Sequence, residues 1–232
     1  DLIVSHIEKF VAPTITSAQL IGGSSFVFAK DKRPHLVIVM AEAEYRTNET
    51  LPEFARKYLG KDFRVSLVHA NEEDRNDIPG IDVVKDADVL LVSVRRRTLP
   101  PEQLQVIRDH VAAGKPVVGI RTASHAFNLR NQPAPEGLAD WPEWDAEVFG
   151  GNYHNHYGNA LKSTVRLNQE QLDHPILTGI PNREFPQGWS LYRTSPLKKG
   201  TTPLVFGRIE DKPEEPAAWT FKRADGGRSF YT

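Results

Sequence analysis

The sequence predicts a three-layer α/β fold in which helices cover both faces of a mainly parallel, flavodoxin-like sheet. Between residues 35 and 129, short continuous apolar runs alternate with segments of helical periodicity, as in a doubly wound sheet. The apolar runs lack the alternation of half-exposed strands, which is typical of strands buried on both faces. The chain has 232 residues, 39% hydrophobic and 25% charged, which suffices for a large globular core.

The N-terminal part carries weaker signals than the segment that follows it. Residues 1–34 are predicted to be an N-terminal extension of poor periodicity, with candidate short strands at 15–21 and 25–29. Residues 35–40, HLVIVM, form the first strand of the predicted domain. Residues 48–59 form its first helix, because their apolar residues fall on one face. That face consists of Leu51, Phe54, Ala55, Tyr58 and Leu59.

The alternation continues through five further elements. They are strands at 63–69, 88–94 and 116–120 and helices at 100–113 and 123–129. The strands at 88–94 and 116–120 are short apolar runs bounded by polar or turn residues. The helix at 100–113 has Pro in its first turn and Gly114 just past its end, which is the usual asymmetry.

Residues 35–232 are predicted to form a single domain despite an irregular middle. Residues 131–160 form a long segment rich in Pro, Gly, Trp and His, and ordered loops of this length are usually functional. Its aromatic residues argue against disorder. Strand-like runs that extend the sheet or add an antiparallel edge follow at 163–168, 189–193, 203–209, 217–222 and 228–231.

Composition excludes several classes of protein. Lys and Arg number 29 against 30 Asp and Glu, so no global positive field recruits nucleic acid. No apolar run approaches the ~18 residues of a membrane-spanning helix. There is no cysteine, which excludes disulfides, thiolate nucleophiles and Cys-ligated zinc. The expected partner is a small molecule, and a homo-oligomer stays open.

Polar side chains follow three predicted strands at the points where the strands end. They are Glu44 and Tyr45, then Arg95, Arg96 and Arg97, then Arg121, Thr122, Ser124 and His125. The carboxyl ends of parallel strands meet at one edge of a sheet, where ligands bind. We therefore expect one site there, with one or two of the three consecutive arginines facing it and the rest pointing away.

A second group of candidate site residues lies in the irregular segment. His154 and His156 are two residues apart, so in an extended segment both rings reach one ligand together with Asn152. With His125 they complete a candidate three-histidine site for a divalent metal such as zinc. The competing interpretation is that these histidines bond the backbone of a turn. Trp141, Trp144 and Trp189 either stack on a sugar or anchor the loop to the core.

In combination these segments resemble the ThuA-like, or trehalose-utilisation, family of the class I glutamine amidotransferase-like group. The resemblance rests on EAEYRTNETLPEFA, SVRRRTLPPEQL, GIRTASHAF, GGNYHNHYGN and DHPILTGIP, which span about residues 35–192. It implies an amidotransferase-like sheet and a carbohydrate ligand, an oxidised disaccharide or a related glycoside. Family members continue through a Gly-His element and a final helix, which implies that this chain is truncated. Members are often exported, and with Asp1 in place of an initiator Met this favours an exported or periplasmic protein.

The elbow after residues 116–120 argues against covalent catalysis. An amidotransferase carries a Cys nucleophile there, and the alignment places Arg121 at that position. Arginine cannot be deprotonated in a protein, so it is neither nucleophile nor base. Ser124 is a poor substitute, because its neighbour His125 is expected to point elsewhere and no orienting acid is evident.

Three hypotheses follow for the strand-end site. The first is a carbohydrate-processing hydrolase, lyase or isomerase that uses acid–base chemistry. In it His125 with His154 or His156 transfers protons, and Glu44 is the base or orients a histidine. Arg121 and one of the three arginines at 95–97 fix substrate oxygens. The second is a non-catalytic sugar- or anion-binding module. The third is a scaffold, in which Arg121, His125 and His154 do not converge.

Overall fold

The computed structural model describes residues 19–21, 25–27, 31–188 and 190–232. The chain divides into two compact units, residues 1–33 and residues 34–232. In the first unit β1 (Gln19–Ile21) and β2 (Ser25–Val27) form an antiparallel pair. The other residues of the candidate strands at 15–21 and 25–29 lie outside the described ones. Across the described residues, no helix has the length and apolar character needed to cross a membrane.

The second unit contains a nine-stranded sheet and a small two-stranded one. Its strands are β3 (His35–Ala41), β4 (Arg64–His69), β5 (Val89–Val94), β6 (Val117–Gly119), β7 (Asn155–His156), β8 (Ser163–Leu167), β9 (Phe185–Gln187), β10 (Tyr192–Arg193), β11 (Thr201–Arg208), β12 (Glu215–Lys222) and β13 (Arg228–Tyr231). The α-helices are α1 (Thr47–Phe54) and α2 (Pro101–Ala112). Short 3₁₀ turns span Ile81–Asp86, Arg121–His125, Gln169–Gln171 and Pro175–Leu177, and π turns span Ala55–Leu59 and Asp145–Phe149.

The large sheet has a parallel half and an antiparallel half. Its order is β4-β3-β5-β6-β13-β12-β11-β8-β9, and the first five strands run parallel. Numbered along the chain, those five strands have the order 2-1-3-4-5 of a flavodoxin-like sheet. The remaining strands pair antiparallel. The predicted fold class is confirmed, and β13, which is distant in sequence, lies beside β6 in the middle of the sheet.

Strand β3 is buried on both faces because its side chains alternate between two apolar clusters. Val37 and Val39 belong to a large cluster that includes α2 and several aromatic residues. Leu36 and Ile38 belong to a second cluster with α1. This explains the uninterrupted apolar sequence HLVIVM, since a parallel strand covered on both faces needs no polar side.

The predicted helix at 123–129 does not form, and the sequence expectation is wrong there. A 3₁₀ turn, Arg121–His125, takes its place. The carbonyl groups that a helix would use internally accept hydrogen bonds from elsewhere. The carbonyl groups of His125 and Ala126 accept hydrogen bonds from the backbone amides of Arg96 and Arg97, respectively. The carbonyl group of Ala123 accepts one from the indole N–H of Trp144. Hydrogen bonds to residues distant in sequence therefore replace those that a helix would form within itself.

Candidate functional site

Three turns meet at one edge of the large sheet. Strands β3, β5 and β6 are parallel neighbours, with Ala41 opposite Val94 and Val92 opposite Gly119. Their carboxyl ends therefore bring the turns at 42–46, 95–98 and 120–125 side by side, as expected for a ligand site in an open α/β sheet.

Each of these turns contains an arginine in the left-handed region of backbone conformation. The φ angles are 55° for Arg46, 49° for Arg96 and 43° for Arg121. A non-glycine residue with positive φ is uncommon and costs on the order of 1 kcal/mol, so surrounding bonds must hold it. At Arg121 the amide donates to the carbonyl of Thr232 at 2.6 Å, and its own carbonyl accepts from the Tyr231 hydroxyl. The elbow conformation is thus fixed by β13.

The turns and two later segments enclose a cavity of about 400 Å³, here called the strand-end cavity. Its lining residues are Glu44, Tyr45, Arg95, Arg96, His125, Arg130, Tyr153, His156, Asn159, Gly188, Ser190 and Tyr192. Two histidines, three arginines and one carboxylate thus share one compartment. Such a mixture can bind oxygen-rich ligands and move protons.

The cavity holds more positive than negative charge. Glu44 pairs with Arg95, with Nη2 and Oε1 2.7 Å apart. Arg96 is half-buried, and burial together with the nearby charge of Arg130 lowers its pKa. Among the carboxylates of the described segments, none forms an ion pair with Arg96 or Arg130.

His125 is buried and uncharged. Its ring stacks on Tyr153, with centroids 4.4 Å apart, and lies 5.9 Å from the ring of Tyr192. Burial, followed by the charges of Arg96 and other arginines, lowers its pKa to about 2. At neutral pH it can exchange hydrogen bonds but does not carry a proton as imidazolium.

The structure separates the two histidines of the GGNYHNHYGN segment. The Nδ1 of His156 lies 2.6 Å from the carbonyl oxygen of Tyr157, so Nδ1 is the protonated nitrogen and Nε2 is an acceptor. His156 lines the strand-end cavity. His154 is exposed, bonds the carbonyl of Asn152 through Nδ1, and is not among the lining residues. Of these two histidines, His156 is therefore the one that lines the cavity, and its Nε2 is an acceptor.

A buried carboxyl group positions Tyr153. Asp145 accepts a hydrogen bond from the Tyr153 amide at 2.7 Å through Oδ2, while its Oδ1 has no hydrogen-bond partner. A Cβ atom on Gly151 would collide with this carboxyl group, so the glycine permits the close approach. Burial raises the pKa of Asp145 to about 7.

Arg121 is not among the residues that line the strand-end cavity. Its guanidinium carbon is 4.2 Å from the ring centroid of Tyr192 and 5.1 Å from that of Tyr45. Its Nη2 donates to the carbonyl of Ser190 at 2.8 Å. Arg121 thus supports two lining tyrosines and one lining serine, and the substrate contact predicted for it stays a prediction.

Other predicted site residues are also placed outside the lining. Thr122 and Ser124 are buried, and Arg97 is buried with its Nη1 on the carbonyl of Arg95. Asn152 donates its side-chain amide to the carbonyl of Ser195. Arg121, His125 and His154 therefore do not all line the strand-end cavity, because only His125 does.

Two sequence expectations are corrected by these positions. Ser124 and His125 do not diverge, because the tight 3₁₀ turn brings Oγ within 3.1 Å of Nδ1. Ser124 is nevertheless buried away from the cavity. The candidate metal site of His125, His154 and His156 is also not assembled, since no three metal-ligating side chains converge in the described part of the chain.

Several lining residues were missed because they follow no strand of the parallel sheet. They are Arg130, Tyr153, Asn159, Gly188, Ser190 and Tyr192. The only sequence signal was the position of Tyr153 and Asn159 within GGNYHNHYGN. Trp141 and Trp144 are buried and anchor the loop, and Trp189 lies outside the described residues.

The turn that carries Glu44 and Tyr45 is held by Glu42. One carboxylate oxygen accepts from the amides of Glu44 and Tyr45, and the other accepts from the amide and hydroxyl of Thr47. Burial alone would raise the pKa of Glu42, but these four bonds together lower it.

Replacing Glu42 by Gln is expected to destabilise the protein by about 2–3 kcal/mol, because a side-chain NH₂ cannot accept two of these four bonds. Urea unfolding at pH 7 measures the change. The matched control is Glu49→Gln, whose exposed carboxylate pairs with Arg46 and should leave stability nearly unchanged. Equal stability of both variants would contradict this role of Glu42.

Comparisons with known proteins place the chain in a family. The sequence profile of the family described as ThuA, trehalose utilisation, matches residues 36–232. A structure described as a ThuA-like protein from Bacteroides uniformis ATCC 8492 superposes with a TM-score of 0.60 at 15% identity, over 88% of this chain and 83% of that chain. A second ThuA-like protein, from Parabacteroides merdae ATCC 43184, gives a TM-score of 0.56 at 13% identity, over 87% and 79% of the two chains. At such identities these superpositions show a shared fold. No curated protein matches the chain.

Proposed function

The chain belongs to the ThuA family, and from this premise we propose that it is a carbohydrate-processing enzyme that moves protons on a keto-sugar or glycoside. The observation that carries the proposal is the strand-end cavity, where a histidine with a free basic nitrogen lies among guanidinium groups. Glutamine hydrolysis through a cysteinyl thioester is excluded, since the chain has no cysteine. The proposal uses no covalent step at the elbow, because Arg121 at the nucleophile's position cannot be deprotonated and Ser124 does not line the strand-end cavity.

In this proposal His156 is the general base. The hydrogen bond from its Nδ1 to the carbonyl of Tyr157 fixes the tautomer and leaves Nε2 to accept a proton. On a keto-sugar, the proton removed is the one on the carbon next to the carbonyl. The electron pair of that C–H bond then forms an enolate, and the same nitrogen returns the proton to that carbon, which restores the carbonyl group.

Arginine stabilises the negative charge that such a step develops. Arg96 is half-buried beside Tyr153 and keeps its guanidinium in a partly desolvated position, where it interacts strongly with an oxyanion. Neutral His125 exchanges hydrogen bonds with substrate hydroxyl groups, and Glu44 holds Arg95 in place. The face of Tyr192 and its neighbours offers an apolar surface to a sugar ring.

The test is solvent deuterium exchange. The protein is incubated in D₂O with a panel of neutral and acidic keto-sugars, and NMR follows the proton on the carbon next to the carbonyl. We expect enzyme-dependent exchange for at least one member of the panel. Saturable binding of panel members without exchange would overturn the enzymatic proposal.

A non-catalytic sugar- or anion-binding module is the second candidate. It is favoured by the stacking of His125 on Tyr153, by the ring of Tyr192 tilted against Tyr153, and by the lowered pKa of His125. A module of this kind gains binding from Tyr153 and Arg96 but needs no base. Replacing His156 by Gln would then change affinity little, and no member of the panel would exchange its proton.

A further inference from the structure

We propose that the ligand of the strand-end cavity carries a fixed negative charge, as a sugar acid or a sugar phosphate does, and that Arg130 binds it. The inference rests on the proposed function in taking the ligand to be a carbohydrate. It adds a negative charge to that ligand, whereas the trehalose named in the family description is a neutral sugar.

The first argument is the charge of the lining. Arg95, Arg96 and Arg130 contribute three cations, whereas Glu44 is the one carboxylate among the lining residues. That carboxylate already forms an ion pair, because its Oε1 lies 2.7 Å from Nη2 of Arg95. His125 contributes no charge at neutral pH. Two guanidinium groups are therefore left without an anionic partner.

The second argument is the cost of filling such a cavity with a neutral ligand. A neutral sugar would remove water from Arg96 and Arg130 while giving back hydrogen bonds to uncharged oxygens, which compensate a desolvated cation poorly. A carboxylate or phosphate returns charge-assisted hydrogen bonds of roughly twice the strength. It also relieves the mutual repulsion of the two guanidinium groups.

The third argument is the position of the two cations. Arg96 is half-buried and contacts Asn128 through Nη1 at 3.3 Å, so it belongs to the inner wall. Arg130 is exposed and stands at the mouth. The proposed oxyanion needs one cation next to the reacting carbonyl, which Arg96 provides. Arg130 then remains for a fixed anionic substituent elsewhere on the same sugar.

Calorimetric titration with matched sugars tests the inference. The probes are methyl glucoside, methyl glucuronide, glucose 6-phosphate and inorganic phosphate. We expect one or both anionic sugars to bind at least 10-fold more tightly than methyl glucoside, and the two anionic arms distinguish a sugar acid from a sugar phosphate. In Arg130→Gln this advantage should fall by about 10- to 100-fold, the loss of one charged hydrogen-bonding partner.

Arg193→Gln is the matched control, since Arg193 is exposed on β10 and is not a lining residue. It should keep the full advantage of the anionic sugars. Equal affinity for methyl glucoside and both anionic sugars would overturn the inference, as would an unchanged advantage in Arg130→Gln. Inorganic phosphate binding as tightly as the sugar phosphate would overturn sugar recognition. Binding needs no turnover, so the absence of deuterium exchange would refute the enzymatic proposal and leave this inference standing.

Discussion

Replacing His156 by Gln is expected to reduce the rate of deuterium exchange by about 10²- to 10⁴-fold, the usual contribution of a positioned general base. Glutamine keeps a polar group of similar reach in the cavity but has no nitrogen that accepts a proton. Affinity for the sugar should change by less than the rate does. The comparison of exchange rate and dissociation constant therefore separates a base from a residue that only shapes the site.

His154→Gln provides the internal control for this experiment. The two histidines are two residues apart and both bond a backbone carbonyl through Nδ1, but only His156 lines the strand-end cavity. Exchange should survive in His154→Gln. If that variant lost exchange and His156→Gln kept it, the assignment of the base would be reversed.

Replacing Asp145 by Asn is expected to change the pH dependence of stability by up to about 4 kcal/mol. The pKa of Asp145 is raised by burial from its ordinary value of 3.8 to about 7. Each pKa unit corresponds to about 1.4 kcal/mol, so a difference of about three units gives this magnitude. The expected change in stability is large because this carboxyl group is buried and its Oδ1 has no hydrogen-bond partner.

The sign follows from proton binding. Below pH 3.8 the group is protonated in both folded and unfolded chains, and its burial carries no penalty for charge. Between pH 3.8 and about 7 the folded state holds a proton that the unfolded state has lost, so stability falls as pH rises. Above about pH 7 the folded state contains a buried carboxylate and the penalty is complete.

Urea unfolding at pH 5 and pH 8 measures this effect. Wild type should lose more stability than Asp145→Asn between the two pH values, and the variant should gain relative to wild type at pH 8. The amide oxygen of Asn can still accept the hydrogen bond from Tyr153, so the variant keeps the bond that orients this ring over His125. Parallel pH profiles of the two proteins would contradict the raised pKa.

The parallel half of the fold could be predicted from sequence because its signals are local. The run at 35–40 is apolar throughout, and α2 has Pro at its start and Gly114 after its end. Parallel pairing of β3, β5 and β6 then places Glu44, Arg95 and His125 at one edge with no need for a specific motif. Topology alone located this part of the site.

The other wall of the cavity depends on contacts that sequence periodicity does not encode. Tyr192 reaches the cavity through β10, a strand of two residues that pairs with β7. Arg121 was expected to touch the ligand because its position in the elbow is that of a nucleophile. Its guanidinium instead lies over the rings of Tyr45 and Tyr192, which are both more than 70 positions away from it along the chain.

The central position of β13 imposes an order of events on synthesis by the ribosome. Residues 35–119 contain four strands of the parallel half, and these can pair as soon as they emerge. The antiparallel half joins them through β13, and Tyr231 of this strand, together with Thr232 that follows it, forms the hydrogen bonds that hold the elbow at Arg121. The side chains that line the cavity are therefore all synthesised before β13, and we expect the cavity to form only after this strand has paired with β6.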